Sequence, residues 1–365
     1  MPIHDVGYRS WKGKRVPAWR RGRIISVTGF RLALRSRWVR RLMLVCWLPV
    51  LYWALVVFFL EQYMARPGLQ EGVATVAQAE QAMERIPLDQ VPLERLPVPG
   101  NQALQQQRQM VEQLKDQFNM LPKLDVLADA LQRPGKDTRH TVWSWLLMTL
   151  FRYPQAVMLL FLVGFVTPTL ISRDVRSRAF LLYFSRPIGL FEYIVGKLAV
   201  PAGFIVFVTL LPAIALYLLG LMLSPELSVA AATWDIPLRL VAASVCLVLP
   251  LASLSLMLSS LTQESRFATF AWFATWALGH GTWLAVVVTQ AIRMEMAPFH
   301  RQVLESPLVE RWSLISFYNN LGQVQSWIFG FDQFQDVWAN VLILVGVTLI
   351  SLAILFRRVS APIRI

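Results

Sequence analysis

Six long apolar stretches constrain the fold of this chain more than any other feature of its sequence. At a rise of about 1.5 Å per helical residue, each is long enough to cross a hydrocarbon core of roughly 30 Å. Backbone polar groups inside a bilayer must be satisfied within the protein, so such stretches are expected to form helices. The stretches are 42–63, 141–171 (an interfacial helix followed by a span), 198–223, 240–261, 267–292 and 337–356.

The composition agrees with an all-α polytopic membrane protein that has six transmembrane helices. The 365 residues are 56% hydrophobic and 16% charged, whereas soluble domains carry about 25% charged residues. The net charge of +13 does not indicate nucleic-acid binding, because the basic residues lie beside apolar stretches rather than on a soluble domain. We therefore expect membrane lipids, and no nucleic acid, among the partners.

The distribution of Lys and Arg predicts the orientation. Segments 1–41, 172–197, 262–266 and 357–365 together carry 21 Lys and Arg residues. The short segments 224–235 and 293–336, near the other ends of the apolar stretches, carry three basic residues, Arg293, Arg301 and Arg311. Because basic residues favour the cytoplasmic side, we predict a multi-pass protein of the bacterial inner membrane with both termini in the cytoplasm.

The N-terminal segment, residues 1–41, contains 12 basic residues and one acid, Asp5. Its second part, from Ile24 to Arg41, predicts an amphipathic helix at the membrane surface. The apolar stripe of this helix comprises Val27, Phe30, Leu34 and Trp38. The residues expected to meet anionic headgroups are Arg31, Arg35, Arg37, Arg40 and Arg41. The alternative is a solvated basic tail.

Two longer segments on the predicted outer side differ from the spans. Residues 64–140 contain nine basic and ten acidic residues, and the near-heptad spacing between Leu104 and Leu121 predicts a helix. We expect a helical extracytoplasmic insertion, which either contacts a periplasmic protein or caps its own protomer. Residues 293–336 are semi-apolar but are interrupted by polar and glycine residues, so they predict re-entrant or interfacial helices.

The loop at 172–197 is the most charged short segment between two apolar stretches. Arg173, Asp174, Arg176 and Arg178 form its polar first turns, and the run from Ala179 to Phe184 is apolar. A break is predicted at Ser185-Arg186-Pro187, because proline disfavours helix in the residue before it. A helix, a break and a second helix would suit docking onto a soluble partner. The alternative is an ordinary basic loop that only determines topology.

This loop resembles the segment between the second and third spans of ABC-2-type transporter permeases. The matching residues are Ile171, Ser172, Asp174, Leu181, Ser185, Arg186, Pro187, Ile188, Glu192, Tyr193, Gly196 and Lys197. A second, weaker resemblance precedes the last span and comprises Ser316, Tyr318, Gly330, Asp336 and Val337. The resemblance implies an N-terminal elbow helix and a cytoplasmic coupling helix that meets an ATPase subunit.

The resemblance also implies which residues dock onto that ATPase. They are Arg173, Asp174, Arg176, Arg178, Phe180, Ser185, Arg186, Pro187, Glu192 and Lys197. The sequence contains no GxxxxGK[ST] motif, so this chain is not expected to hold ATP phosphates. We predict no catalytic residue and no cofactor here, and we expect ATP and Mg to be bound by the partner subunit.

The implied function is that of the permease subunit of an ABC transporter, paired with a second copy or a paralogue and driving export or mechanical work. The alternative is a non-transporting polytopic scaffold that recruits a periplasmic partner through residues 64–140. An ion-coupled carrier is disfavoured because the middles of the apolar spans carry almost no ionisable side chain, and the only candidate is His280.

Two minor features complete the predictions. Arg152, at the edge of the second span, is expected to extend towards lipid headgroups. Met294, Met296 and His300 follow the fifth apolar stretch, and thioether and imidazole groups are ligands that suit Cu(I). Flexible Met side chains also occur at ordinary interfaces, so this group is a weak candidate for metal binding.

Overall fold

Helices account for almost all of the structure. The computed structural model describes residues 18–65, 126–127, 130–131, 137–179, 188–224 and 228–360. The structure is 88% helical, and these residues contain no strand. Six of its helices are long and apolar enough to cross a membrane. The prediction of an all-α protein with six membrane-crossing helices is therefore confirmed, while most of the 64–140 insertion lies outside the described residues.

The elements are numbered in chain order from α1 to α11. The six long helices are α2 (Arg37–Met64), α3 (Thr138–Arg176), α4 (Leu190–Leu223), α6 (Ile236–Leu261), α7 (Ser265–Met294) and α11 (Phe334–Ser360). The shorter helices are α1 (Ala18–Arg35), α5 (Ser228–Ala232), α8 (Arg301–Leu304), α9 (Pro307–Ser313) and α10 (Phe317–Ile328).

Successive long helices run in alternating directions. One end of the bundle holds Arg37, Arg176 and Arg358, and we call it the basic end. The other end holds Glu61, Arg139 and the start of α6, and we call it the opposite end. Ion pairs between sequence-distant helices occur at both ends, which fixes their relative positions.

Helices α3 and α6 form the centre of the bundle. Helix α6 packs against α3, α4, α7, α10 and α11. In their most apolar parts, α3 and α6 are each 67% buried, whereas α2 and α11 are 22% buried and α7 is 17% buried. The first pair therefore forms the protein core. The other three helices present apolar side chains outwards, as expected of surfaces in contact with lipid or another protein.

Prolines inside the long helices leave backbone carbonyls that side chains of other helices satisfy. Pro212 has no N–H to offer Val208, and the Val208 carbonyl instead accepts a hydrogen bond from Gln155 Nε2 at 2.8 Å. Pro168 likewise leaves the Gly164 carbonyl, which accepts from Thr269 Oγ1 at 3.3 Å. These two contacts join α3 to α4 and to α7 and give both carbonyls a partner, as a low-polarity interior requires.

Helix α1 packs along the first half of α4 through a face of small residues. Ser26 Oγ donates to the Gly196 carbonyl at 3.0 Å, and the Phe30 ring lies 5.0 Å from that of Phe204. The predicted apolar stripe is divided: Phe30 and Leu34 pack against the core, whereas Val27 and Trp38 are 36% and 78% exposed. Small residues determine the contact because they let two backbones approach closely.

The predicted single helix from Ile24 to Arg41 is divided at Ser36, which has an extended conformation. Arg37, Arg40 and Arg41 therefore begin the membrane-crossing helix α2 rather than ending α1. Arg40 Nη1 donates to the Leu34 carbonyl at 3.1 Å, so it satisfies one of the carbonyls that the last turn of α1 leaves without a helical partner.

Candidate functional site

The end of α3 and the start of α4 are joined by a buried ion pair at the basic end. Lys197 Nζ lies 2.7 Å from Asp174 Oδ2, and the Tyr193 hydroxyl donates to the same carboxylate oxygen at 2.6 Å. Lys197 Nζ also donates to the Leu170 carbonyl at 2.7 Å. The two charged side chains are only 14% and 10% exposed. We call this group the Asp174–Lys197 lock.

The positions of these residues follow from helical geometry. Tyr193 and Lys197 are four residues apart and therefore share a face of α4, as Leu170 and Asp174 do on α3. The two faces meet, so the motif residues at both edges of the loop converge on one contact. Gly196, between Tyr193 and Lys197, faces α1, where an added Cβ would lie 2.9 Å from the Gly22 carbonyl oxygen.

Ser259, near the end of α6, joins the last turns of α3 from the other side. Its Oγ accepts from the backbone N–H groups of Ile171 and Ser172 at 3.2 and 3.1 Å, and it donates to the Pro168 carbonyl at 2.7 Å. Ser172 Oγ donates to the same carbonyl at 2.5 Å. The end of α3 is therefore held by both α4 and α6.

Beyond this contact, α3 ends in a Schellman turn. The Ala179 N–H donates to the Asp174 carbonyl at 3.0 Å, and the Arg178 N–H donates to the Val175 carbonyl at 3.3 Å. Arg178 adopts a φ of 53°, a conformation usually taken by glycine. The helix thus ends at Arg176, before the break predicted at Ser185-Arg186-Pro187, because the turn already satisfies its last carbonyls.

The predicted docking residues divide into two groups in the structure. Arg173, Arg176 and Arg178 are exposed, and Arg176 Nη1 lies 3.3 Å from Glu264 Oε1. Asp174 and Lys197 form the lock, while Glu192 Oε2 accepts from the Gly189 N–H at 3.3 Å and caps α4. The remaining predicted positions, Phe180, Ser185, Arg186 and Pro187, lie outside the described residues.

The opposite end contains a polar network that the sequence analysis did not identify. Glu61 is 2% exposed, and its carboxylate accepts from Trp143 Nε1 at 2.7 Å and pairs with Arg139 Nε at 3.3 Å. The contact joins the end of α2 to the start of α3. The sequence carried one signal for this contact: Glu61 lies at the end of the first apolar stretch, and Arg139 lies immediately before the second.

Asp235, immediately before α6, is the centre of the second part of this network. It lies 3.0 Å from His140 Nε2 and 2.7 Å from Arg239 Nε, and Arg239 also donates to the Ile328 carbonyl at 3.3 Å. Burial raises the pKa of Asp235, but the hydrogen bonds and charges of His140 and Arg239 outweigh burial, so the pKa is lowered. The network therefore favours the charged carboxylate.

Helix α10 carries the second group of motif residues. Ser316 Oγ accepts from the Asn319 N–H at 3.3 Å and lies 3.3 Å from His280 Nδ1, so it caps α10 and connects it to α7. Asn340 Nδ2 of α11 donates to Asn320 Oδ1 at 2.8 Å. Gly330, with a φ of 90°, allows Arg239 to approach the chain. Val337 is buried, and Asp336 lies in the first turn of α11.

The three residues of the weak metal candidate, Met294, Met296 and His300, have different neighbours. Met294 and Met296 pack against an apolar cluster of Val287, Ala291, Val303 and Val309. His300 Nδ1 accepts from the Gln302 N–H at 3.3 Å. Within the described part of the chain, no group of three or more His, Cys, Asp or Glu residues could hold a metal ion. Copper binding by the two thioethers and His300 stays a prediction.

These observations define a helical, multi-pass membrane protein whose helices are tied together by polar contacts at both ends. The sequence of residues 29–360 matches the family described as ABC-2 family transporter protein, and the chain belongs to that family. It is accordingly a membrane-embedded permease subunit of an ABC transporter. No curated protein matches the chain, and no solved structure matches it.

Proposed function

We propose that this permease subunit couples ATP hydrolysis by a separate ATPase subunit to export or mechanical work across the bacterial inner membrane. The observation that carries the proposal is the connection beneath the exposed arginines at the end of α3. The exposed side chains are those of Arg173, Arg176 and Arg178. The same end of α3 contacts α4 through the Asp174–Lys197 lock and α6 through Ser259. Force applied to this end of α3 therefore acts on three membrane-crossing helices together.

In this proposal the ATPase subunit supplies the nucleotide chemistry. The chain lacks a glycine-rich phosphate-binding motif, so ATP and Mg belong to the partner. The exposed arginines offer positive charge to an acidic surface of that partner, which favours fast and oriented association. The Asp174–Lys197 lock then transmits the movement of the docked partner rather than contacting it.

A second permease copy or a paralogue completes the proposed transporter. The outer faces of α2, α7 and α11 are apolar, and only 17–22% of the residues in their most apolar parts are buried. An exposed apolar surface of this kind can pack against lipid or against another membrane protein. The family is one of paired permease subunits with ABC ATPases, which makes pairing through part of this surface the expected arrangement.

The arginines around the α1–α2 junction support a cytoplasmic position for the basic end. Arg31, Arg35, Arg37, Arg40 and Arg41 are all exposed. We propose that they contact anionic headgroups of the inner leaflet, where each such charge adds about 1 kcal/mol of attraction. Both termini would then be cytoplasmic, and residues 64–140 would be on the periplasmic side, available to a periplasmic protein.

Purification in mild detergent followed by an ATPase assay tests the proposal. We expect an ABC ATPase to co-purify with the chain and its ATP hydrolysis to be stimulated by the permease. The double substitution Arg173→Glu and Arg178→Glu should reduce the stimulation about tenfold, because a loss of about 1.4 kcal/mol at a docking interface has that effect.

The matched control is Arg357→Glu with Arg358→Glu, which reverses two exposed charges at the same end of the bundle. This control should keep the stimulation within about twofold. An equal loss in both variants would show a general charge effect and contradict docking at the end of α3. If no ATPase co-purifies and a periplasmic protein does, the scaffold alternative would replace the transporter proposal.

A further inference from the structure

A cleft between α3, α6, α7 and α10 contains a charged side chain that the proposed docking mechanism does not use. Arg152 of α3 lines it together with Trp276 of α7 and Tyr318, Gly322 and Gln325 of α10. The remaining wall is mostly apolar and includes Leu247 and Leu251 of α6. The cleft has a cavity volume of about 10 Å³, which is room for about one water molecule.

Arg152 lies away from both ends of α3. It is the fifteenth residue of this 39-residue helix, which places it about 21 Å along the helix axis from Thr138. The sequence prediction that Arg152 extends to the headgroups differs from the structure, where its guanidinium packs on Gly322. A Cβ at position 322 would lie 2.7 Å from Arg152 Nη1.

The position of Arg152 depends on an irregularity in α3. Phe151–Gln155 forms a π-helical turn that includes Pro154. Turns of this kind are frequent at functional sites, since the wider backbone ring changes the direction of the side chains that it carries. Here the turn directs Arg152 towards α10, where the Tyr318 hydroxyl hydrogen-bonds with the guanidinium.

The charge of this guanidinium has no counter-charge in the described part of the chain. The ion pairs found there join other residues, and none includes Arg152. A cation held among mostly apolar side chains is costly unless an anion or water compensates its charge. This position therefore favours an anionic ligand.

Three of the residues that line the cleft carry a buried N–H group without a hydrogen-bond partner in the described part of the chain. Arg152 Nε, Trp276 Nε1 and Gln325 Nε2 are buried and make no hydrogen bond within the protein. Gln325 is only 1% exposed and Trp276 is 7% exposed. Buried donors are normally paired, so unpaired donors on three residues of one cleft favour a ligand that supplies acceptor oxygens.

We propose that this cleft binds the oxyanion of an anionic amphiphile, a phosphate or a carboxylate, through Arg152, Trp276 and Gln325. One oxygen of the anion would enter the cavity, and the apolar wall would contact the hydrocarbon portion of the ligand. The proposal goes beyond ATPase coupling. Because binding needs no ATPase, its failure and the failure of the coupling proposal can be told apart.

Native mass spectrometry of the purified full-length chain in maltoside detergent tests the site. The probes are dioctanoyl phosphatidic acid, dioctanoyl phosphatidylcholine with the same chains but a zwitterionic headgroup, and inorganic phosphate. We expect phosphatidic acid to bind at least fivefold more tightly than phosphatidylcholine. Arg152→Gln should weaken phosphatidic acid binding about tenfold, since it removes a charge-assisted hydrogen bond.

The matched control is Arg358→Gln, which removes the same charge at an exposed position and should change binding less than twofold. The proposal would be overturned if Arg152→Gln and Arg358→Gln bound phosphatidic acid equally well. Equal affinity of the wild-type protein for the two lipids would also overturn it. In either case the cleft would hold water only. If inorganic phosphate displaces the lipid at a similar concentration, the cleft binds oxyanions and a free anion can be its ligand. If it does not, the membrane supplies the ligand.

Neutral substitutions keep the test decisive if Arg152→Gln does not fold. Trp276→Phe and Gln325→Leu each remove one donor and leave the guanidinium in place. Each should weaken binding of phosphatidic acid about threefold, because one neutral hydrogen bond is lost. Wild-type affinity in both of these variants would overturn the assignment of the cleft.

Discussion

At the scale of single residues, Asp174 shows that a charge in a basic loop can have a structural role. The sequence places it among exposed arginines, and the resemblance to ABC-2 permeases includes it in the docking set. In the structure its carboxylate pairs with Lys197 and accepts a hydrogen bond from Tyr193. A buried charge with such partners is costly to leave unpaired, so the partners depend on each other for stability.

Replacing one member of the lock should destabilise the protein. Asp174→Asn or Lys197→Met is expected to lower the free energy of unfolding by about 2–4 kcal/mol, because the remaining charge stays buried without its partner. Combining the two substitutions should cost less than the sum of the single losses. Thermal unfolding in detergent measures these effects.

The pair between Arg176 and Glu264 is the matched control for that experiment. Its side chains are 67% and 41% exposed, compared with 10% and 14% in the lock. Glu264→Gln should therefore change stability by less than about 1 kcal/mol. Similar losses for Glu264→Gln and Asp174→Asn would contradict the structural role of burial in the lock.

Asp235 leads to a prediction about pH at the opposite end. Since the pKa of Asp235 is lowered in the folded protein, its carboxylate stabilises the fold above its unfolded pKa, which is near 4. This stabilisation is lost as the pH falls through the lower folded pKa. Asp235→Asn should cost about 1–2 kcal/mol at pH 7, and the gap from wild type should close below about pH 4.

Unfolding midpoints measured between pH 7 and pH 3 would follow this change. Asp336→Asn is a suitable control, because Asp336 is an exposed carboxylate in the first turn of α11. Its variant should differ little from wild type across the range. A gap for Asp235→Asn that continues to widen below about pH 4 would be incompatible with the lowered pKa.

At the scale of elements, the packing of α1 on α4 depends on glycines of both helices. A Cβ at Gly203 would lie 2.2 Å from Phe30 Cζ, and one at Gly29 would lie 2.6 Å from Val200 Cγ2. At Gly196 the nearest atom is the backbone carbonyl oxygen of Gly22, which has less freedom to move than a side chain. The two helices can approach this closely only because the glycines lack side chains.

Gly196→Ala is therefore expected to destabilise the α1–α4 contact by about 1–3 kcal/mol through overpacking. Gly346→Ala is the control, since no atom lies within 4 Å of a Cβ built at that position of α11. The control should be neutral or stabilising by up to about 1 kcal/mol, because alanine favours helix. Unfolding measurements in which Gly196→Ala equals the control would show that α1 is not packed as described.

At the scale of the whole molecule, the alternating helices place all connections at one of two ends. Ser36 and Ser177 are exposed at the basic end, and Ser228 is exposed at the opposite end. The excess of Lys and Arg predicts that the basic end is cytoplasmic. The native cysteines offer little competition to introduced ones, because Cys46 is buried and Cys246 is half-buried.

Cysteine labelling in intact cells tests this orientation. In a background with Cys46→Ala and Cys246→Ala, Ser228→Cys should react with a membrane-impermeant maleimide. Ser36→Cys and Ser177→Cys should react only after permeabilisation, since the bilayer separates them from the reagent. Labelling of Ser177→Cys in intact cells would place the docking turn outside the cytoplasm and would exclude contact with an ATPase there.

The number and type of the long elements were determined by local sequence properties. Length and hydropathy predict a membrane-crossing helix without reference to its neighbours, because the bilayer leaves a long apolar segment no other stable backbone conformation. The pairing of motif residues at the two edges of the 172–197 loop could be anticipated only as a resemblance. Their spacing placed Tyr193 and Lys197 on one face but did not identify Asp174 as their partner.

Only the tertiary structure determined which residues distant in sequence contact each other. The glycine face of α1 has little hydropathy signal, so the apolar pattern identified Phe30 but not Gly29, and it also selected the exposed Val27 and Trp38. Glu61 and Asp235 were separated from their basic partners by 78 and 95 positions, and Arg152 met α10 because a π turn redirects its side chain. Hydropathy is a property of each segment alone, whereas the satisfaction of a buried charge depends on which other segment packs against it.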